Sequence, residues 1–547
     1  MTDYYIAKDG SDSNDGLSIG APKATVSSLQ AAYSFSEADK IIFRAGTYGA
    51  ELAYGPDSTV FMEFDSMTEV VSLEGYAGET IIFEKPSGGD IAWFVSMHNI
   101  DVTSDNTTYT VKNIEFKNGG SDITSGFLRL EQKSSDTNIV KFVVDGSTFT
   151  QTSSEADLAQ AALYSNVAGK TDFTVKNCIF NICDQKAIRL TNMLKATVEN
   201  NTIICNPPSS NDTGTSMLAF SGKQGLSEET ELHLRNNTIV FNHLDGGGNC
   251  IICQPEYFNE FYISNNHITV NSDNPETTGA VIDFIRPATS TANDRVTTQF
   301  NLVGNTCFMN HGRGDFLEFY RAGGDDTNVG VYNITDNSWK GNNTIRDHTL
   351  SEVLNMEHCH AAVVNIKRNT FEDYQDMIML RNSDGIPHNI EDNVFKNTGN
   401  TADGLGATTP ITIWVQPTVD TVTIKNNLFL IDEEGTCIYG DDNDGGVSDF
   451  LIEGNSFVYL GDTITDGDNL ITRFSTNTID EVTIRDNYYY GLDGLNSTTL
   501  FFHDSSAFPG PVNNATADNG LFHTSNMIKR KKSGIVSSMT KEIAWQV

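Results

Sequence analysis

Two short segments carry carboxylic acids in matching settings, Ile282-Asp-Phe284 and Leu317-Glu-Phe319, and each is followed by an arginine, Arg286 and Arg321. Glu357 and His358 follow a third such segment, Leu354-Asn-Met356, and Arg381 follows a fourth, Ile378-Met-Leu380. Carboxylates brought close together repel when both are ionised, so one pKa rises. A protonated acid beside an ionised partner is what glycoside hydrolysis needs. Asp283, Glu318 and Glu357 are therefore the candidate catalytic acids. Arg286, Arg321 and Arg381 are candidate substrate ligands, because guanidinium groups bind uronates and sulfates bidentately. His358 joins them, and Tyr320 and Trp414 offer apolar faces to sugar rings. A lyase would instead use a basic residue near Ca2+-bound carboxylates. Arg321, Arg381 and Lys186 all suit that role, and nothing selects among them. The same acids and arginines also suit plain surface pairs, worth under about 1 kcal/mol each.

A repeat supplies the elements that would stack these residues. An aliphatic residue is followed by two polar or small residues, usually an Asn, one further residue, and then an aromatic or aliphatic one. Val111-Lys-Asn-Ile-Glu-Phe116, Ile366-Lys-Arg-Asn-Thr-Phe371 and Ile424-Lys-Asn-Asn-Leu-Phe429 are examples. Thirteen copies occur, and their fourth positions run from Ile114 to Asn487 at a mean spacing of about 31 residues. Ten of these fourth positions are Asn, a residue that tolerates left-handed backbone and can bond in stacked columns. The pattern reads as strand, Asn turn, strand. Its loose spacing suits a solenoid that stores variation in loops.

A further strand is expected about midway between Asn turns. The aligned segments begin at Leu128, Ile188, Leu218, Ile251, Ile282, Leu317, Leu354, Ile378, Ile411, Ile438 and Leu470. The first and third residues of each point inward and the middle one outward. That column would place Asp283 and Glu318 one coil apart, about 5 Å between backbones.

With these features the chain resembles the right-handed parallel β-helix of the pectin-lyase-like superfamily. The segment Tyr4-Tyr-Ile-Ala-Lys-Asp-Gly-Ser-Asp-Ser-Asn-Asp-Gly16 is similar to the opening of many bacterial and viral members. Ala21-Pro-Lys-Ala-Thr25, a helix-like stretch from Val26 to Tyr33, and Asp39-Lys-Ile-Ile-Phe-Arg-Ala-Gly-Thr-Tyr48 follow it. The resemblance spans roughly residues 3–505. It implies an all-β, single-stranded solenoid of thirteen or more coils under an N-terminal cap, which shields an otherwise open edge. The expected boundaries are a cap at 1–38, the β-helix at 39–505 with excursions at 50–69 and 85–108, and a tail at 506–547. Thirteen coils at ~4.8 Å predict a core roughly 60 Å long. The family's hydrolase signatures, a Gly-His-Gly turn or an Asp-Asp pair followed by Arg-Ile-Lys, do not occur.

The composition excludes several classes. Acids outnumber bases 72 to 35, for a net charge of −37. Such a chain does not track a nucleic-acid backbone or dock on an anionic membrane. With 31 Phe and 18 Tyr it is not disordered. No apolar run approaches the roughly 20 residues of a membrane helix. The N-terminus lacks a basic segment followed by an apolar one, so a secretory signal is expected to have been removed, or the chain to leave its producer within a virion. The eight cysteines, including Cys250-Ile-Ile-Cys253, read as buried thiols. Asp441-Asp-Asn-Asp-Gly445 and Asp325-Asp326 are acidic enough to attract Ca2+ but lack EF-hand spacing, so no metal site is assigned.

The functional expectation is an extracellular or virion-surface protein that recognises, and as an enzyme depolymerises, a surface polysaccharide. As in tailspikes, it would form a homotrimer or join a larger assembly. The alternatives are a non-catalytic adhesin or structural rod, and a secreted polysaccharide lyase or glycoside hydrolase. The basic run Lys529-Arg-Lys-Lys532 is a solvated segment or a docking point.

Overall fold

The computed structural model describes residues 2–36, 39–53, 60–67, 72–84, 91–100, 106–118, 123–132, 138–151, 161–166, 170–183, 186–206, 217–222, 229–243, 251–254, 258–272, 281–285, 298–310, 315–320, 330–341, 352–357, 361–374, 376–381, 386–397, 411–415, 421–431, 436–440, 449–459, 471–472, 481–490 and 512–513. The chain is a right-handed parallel β-helix. Two units are distinguished, residues 1–311 with 323–325, and residues 312–322 with 326–547. Within each, strands stack in parallel into three sheets. The first sheet precedes the repeated turn, the second follows it, and the third lies between successive repeats.

The first sheet obeys strict alternation. In Ile139–Asp145 and Lys170–Lys176, every second residue is buried. β-branched and aromatic residues fill the inward positions, as a half-buried strand requires. Outward positions pair by charge, for example Lys367 with Glu391 at 2.8 Å and Lys40 with Glu74 at 2.8 Å.

The turn divides two jobs between adjacent residues. Left-handed backbone belongs to the third position of the repeat, not to the Asn at the fourth. All thirteen third positions, from Asn113 to Asp486, have φ between 54° and 69°. Gly serves at 146, 304 and 454, and Asn, Asp or Arg368 at the others. This is the position where a chain leaving one sheet for the next needs a residue that tolerates αL.

The fourth position builds a buried amide column. Asn201, Asn237, Asn266 and Asn305 form it in the first unit, with Nδ2-to-Oδ1 distances of 3.0, 2.9 and 2.9 Å. Asn337, Asn369, Asn393, Asn427, Asn455 and Asn487 form it in the second, at 3.0 Å throughout. The second Nδ2 proton reaches a carbonyl of the preceding coil, as from Asn393 to Ile366 at 2.8 Å. Each Oδ1 also accepts the backbone N–H of the previous Asn. Every polar atom of an interior Asn side chain is satisfied, which makes complete burial tolerable.

The sixth position of the repeat stacks rings beside this column. Phe116, Phe149 and Phe180 lie 5.1 and 4.6 Å apart in the first unit. Trp339, Phe371, Phe395, Phe429 and Phe457 lie 4.7–4.9 Å apart in the second.

At the N-terminus, Asp3–Ile6 pairs in parallel with Lys40–Phe43, so the first strand already belongs to the first sheet. The helix Val26–Ala32 is capped by Thr25, whose side chain accepts from Ser28 N at 3.1 Å. Val26 and Leu29 bury its apolar face. Asp12 Oδ1 gathers Thr25 N, Thr25 Oγ1 and Ser28 Oγ, and these bonds hold its carboxyl below the usual range. Cys178, Cys205, Cys307 and Cys437 are buried free thiols, as expected, and burial pushes Cys178 up to about 12.

The third sheet keeps the expected register from Leu128 to Ile282 and from Leu317 to Ile378. It departs from that expectation in four places, the first being the stretches expected as excursions, where Val60–Met67 and Ile91–Ile100 are strands of this sheet stacked below Ile123–Gln132. Strand Leu163–Asn166 is an additional member of the first unit. Ile378 pairs with Ile413 rather than Ile411, and Ile438 pairs with Ile471 rather than Leu470.

Two outcomes test this account. Asn393→Ala leaves Asn369 N–H and one of the two Asn369 Nδ2 protons unmet and takes a donor from the Ile366 carbonyl, and it is expected to cost about 3–5 kcal/mol in denaturant unfolding. His388 lies in the core between Val364 and Val422, and burial pushes its pKa down to about 4. The unfolded imidazole takes up a proton below about 6.5 while the folded one stays neutral to about 4, so stability falls as pH drops through that window. His388→Val should therefore raise the melting temperature more at pH 5 than at pH 8.

Candidate functional site

Six described strands of the third sheet lie in the second unit, the last being Ile471–Thr472, and the first five are Leu317–Tyr320, Glu352–Glu357, Asp376–Arg381, Ile411–Val415 and Thr436–Gly440. Leu317, Leu354, Ile378, Ile413 and Ile438 are buried and form the core side. The next residue of each strand points outward, giving the column Glu318, Asn355, Met379, Trp414, Tyr439 in direct register. Glu318, Trp414 and Tyr439 are half-buried, while Asn355 and Met379 are only 6% and 4% exposed.

Two polar atoms in this column have no hydrogen-bond partner. Asn355 donates its Nδ2 to Asp315 Oδ2 at 3.0 Å, but its Oδ1 accepts nothing. The indole Nε1–H of Trp414 is buried and donates to nothing. An unmet buried polar group costs about 1–3 kcal/mol, so one acceptor and one donor left open in a single column need a reason. The Trp414 ring meets Tyr439 edge to face, centroids 6.0 Å apart.

Beside the column runs a line of acids. Glu352 N–H donates to Asp315 Oδ1 at 3.0 Å. Asp376 lies in register with Glu352 on the next strand. Phe316, Leu317, Val353 and Leu354 are all buried, so alternation breaks where each strand begins. That break lets Asp315 turn to the outward Asn355. Burial comes first, and the Glu352 carboxylate second, in holding the Asp315 carboxyl well above its usual range. Both causes favour the protonated form of Asp315 beside a second acid.

Of the sequence-derived candidates, Glu318 and Trp414 stand in this column. Tyr320, Glu357 and Arg381 lie in register with one another on three adjacent strands, described in their backbone only. Asp283, likewise, belongs to the first unit, in register with Ile252. Arg286, Arg321, His358 and both acidic loops considered for Ca2+ lie outside the described residues. Among the described residues, no group of His, Cys, Asp or Glu is arranged to hold a metal ion. Asp315, Glu352 and Asp376 were missed. Each stands two residues before an aligned segment, where a strict strand would turn it into the core.

A second polar strip lies on the first sheet of the first unit. Lys195 and His233 both bond Glu231 Oε2, at 2.5 and 2.7 Å, and His233 stacks on Tyr262 at 4.7 Å. Tyr262 donates to Glu260 at 2.6 Å. These groups are engaged with one another, as surface pairs are.

No family model matches the chain, and no curated protein matches it. Among solved structures, the complex of XylC with xylose is similar at 11% identity over 91% of this chain and 87% of that one, with a TM-score of 0.21. A superposition of that quality carries no argument about this chain.

The proton on Asp315 has a measurable consequence. Because its folded pKa is raised, the native state holds that proton longer than the unfolded chain. Stability is then lost as pH rises from about 4 through the folded pKa. Asp315→Asn should flatten this decline in a series of melting temperatures from pH 4 to 9.

Proposed function

We propose that the outward face of the third sheet in the second unit binds a polysaccharide, and that the protein meets this ligand outside its producing cell or on a virion. The observation that carries this reading is the pairing of an open acceptor, Asn355 Oδ1, with an open donor, Trp414 Nε1, in one column. A sugar hydroxyl both donates and accepts, so a glycan can answer both. Two strand spacings separate them, roughly 10 Å, which suits a disaccharide. Met379 floors the space between, and Trp414 with Tyr439 offers ring surface to a pyranose.

The reaction class that suits the acids is glycoside hydrolysis. Asp315, pushed toward its protonated form beside Glu352, is the proton source, and the half-buried Glu318 is the second carboxylate. The −37 charge keeps such a protein dispersed.

The test is incubation with neutral, acidic and amino polysaccharides, with and without Ca2+. New reducing ends are expected from one of them, with the rate reduced at least 100-fold in Asp315→Asn while binding persists. Unsaturated products would reassign the reaction to a lyase. Binding without any product would leave an adhesin. Cleavage that survives both Asp315→Asn and Glu318→Gln would remove this face from the chemistry.

A further inference from the structure

The second sheet of the first unit carries a neutral face on an acidic chain. Its strands Thr148–Gln151, Ile179–Ile182, Thr202–Cys205, Thr238–His243, His267–Ser272 and Thr306–Asn310 contain no Asp, Glu, Lys or Arg. They stack in parallel, each directly on the next. One outward column runs from Thr148 through Ile179 and Thr238 to Thr306, and the next passes through Ile204, Val240 and Phe308. Ile179 is 48% exposed, the most of any large apolar residue described. Thr238, His267 and Thr306 are exposed as well. Along one margin Asn242 donates to Asn206 at 2.6 Å and Asn271 to Asn242 at 2.7 Å, a second amide ladder, here at the surface. β-branched side chains are stiff and the ladder amides are held, so covering this face removes little side-chain freedom.

The other two sheets of this unit differ. The first presents Lys141, Asp172, Lys195, Glu231 and Glu260 in one register, and the third presents Glu63, Arg129 and Arg189. At one end the neutral face stops at Glu115–Asn118, where Lys117 lies 3.8 Å from Glu84. Two copies that each carry a net charge of −37 repel one another, and close contact is least opposed where neither surface is charged. Strands ~4.8 Å apart and about five residues wide make this face roughly 30 by 16 Å. Two such faces cover roughly 1,000 Å2 together, about the least that a specific interface needs.

We propose that this face pairs with the same face of a second copy of the chain, sheet against sheet about 10 Å apart and related by a two-fold axis. A two-fold pair needs one self-complementary patch, whereas a three-fold ring needs two different patches on each copy. Among the described faces of this unit, the second sheet alone offers such a run of uncharged strands. The pairing therefore departs from the homotrimer expected from the sequence. Salt screens the repulsion that remains between the copies, so pairing strengthens as salt rises, the reverse of an ion-paired contact. The inference is independent of the glycan reading, which concerns the third sheet of the second unit.

The experiment is sedimentation equilibrium of the full chain from about 1 to 200 µM, in 50 and 500 mM NaCl. A monomer–dimer equilibrium is expected, at least 3-fold tighter at the higher salt. Thr238→Glu and Ile179→Lys, both at exposed positions, should each weaken it at least 10-fold with the circular dichroism spectrum unchanged. Because the two variants add opposite charges, a loss in both follows from charge buried in the face and not from net charge. Thr108→Glu, exposed on the first sheet, adds the same charge as Thr238→Glu and should leave pairing unchanged. A chain that stays monomeric throughout overturns the proposal. So does a dimer that salt weakens, or one that both face variants leave intact. A complex of three copies that both variants dissolve overturns the two-fold pairing. A monomer that binds a neutral polysaccharide, and loses it in both variants, overturns the second copy as the occupant of this face.

Discussion

The rest of the structure depends on the hydrogen-bonding demand of a buried primary amide. Asn393 offers two N–H donors and an oxygen with two lone pairs, and all are met only when another Asn lies directly above and below it. Buried without those partners, the same side chain would cost several kcal/mol. The column therefore sets the register of each coil against the next. A coil that slipped by one residue would place its Asn outside the column and its inward residues outside the core. The stacked rings from Trp339 to Phe457 add area and dispersion to that register but are less demanding, since Ile or Cys can replace Phe at the equivalent place in the first unit.

Registered strands make an outward face that is equally well ordered. Glu318, Asn355, Met379, Trp414 and Tyr439 come from segments dozens of residues apart, yet they stand in one line because their inward neighbours are locked. The amide column satisfies its interior members, while unpartnered buried atoms occur both in the core, at Trp339 Nε1 and His388 Nε2, and in the outer column. Asn201 to Asn487 leave no side-chain polar atom of an interior member open, whereas Asn355 and Trp414 each leave one.

Much of this was legible in one dimension. The period, the turn and the alternation of Ile139–Asp145 are local patterns, and each survives in the fold. The helix expected near Val26 is present because Thr25 caps it and Val26 and Leu29 face inward. The division of labour within the turn was less legible. Asn often fills both positions, as in Asn426-Asn427, so residue type alone does not separate the left-handed residue from the amide of the column. The register at Ile413 was missed because Ile411-Thr-Ile413 and Ile413-Trp-Val415 are equally good alternating segments, and only stacking on Ile378 chooses between them.

The sequence by itself determined the repeating β architecture, because burial alternation and turn preference are properties of neighbouring residues. It also determined the acidic balance and the place of Glu318 and Trp414 on the outward side of their strands. Only the tertiary structure decided that Asp315 reaches Asn355, that Glu352 stands beside it, and that two polar atoms remain open. Asp315 and Asn355 are 40 residues apart, and strict alternation would have buried Asp315 among apolar side chains. The break at the start of its strand turns it outward, and whether a carboxyl keeps its proton is set by what lies across space from it, not along the chain.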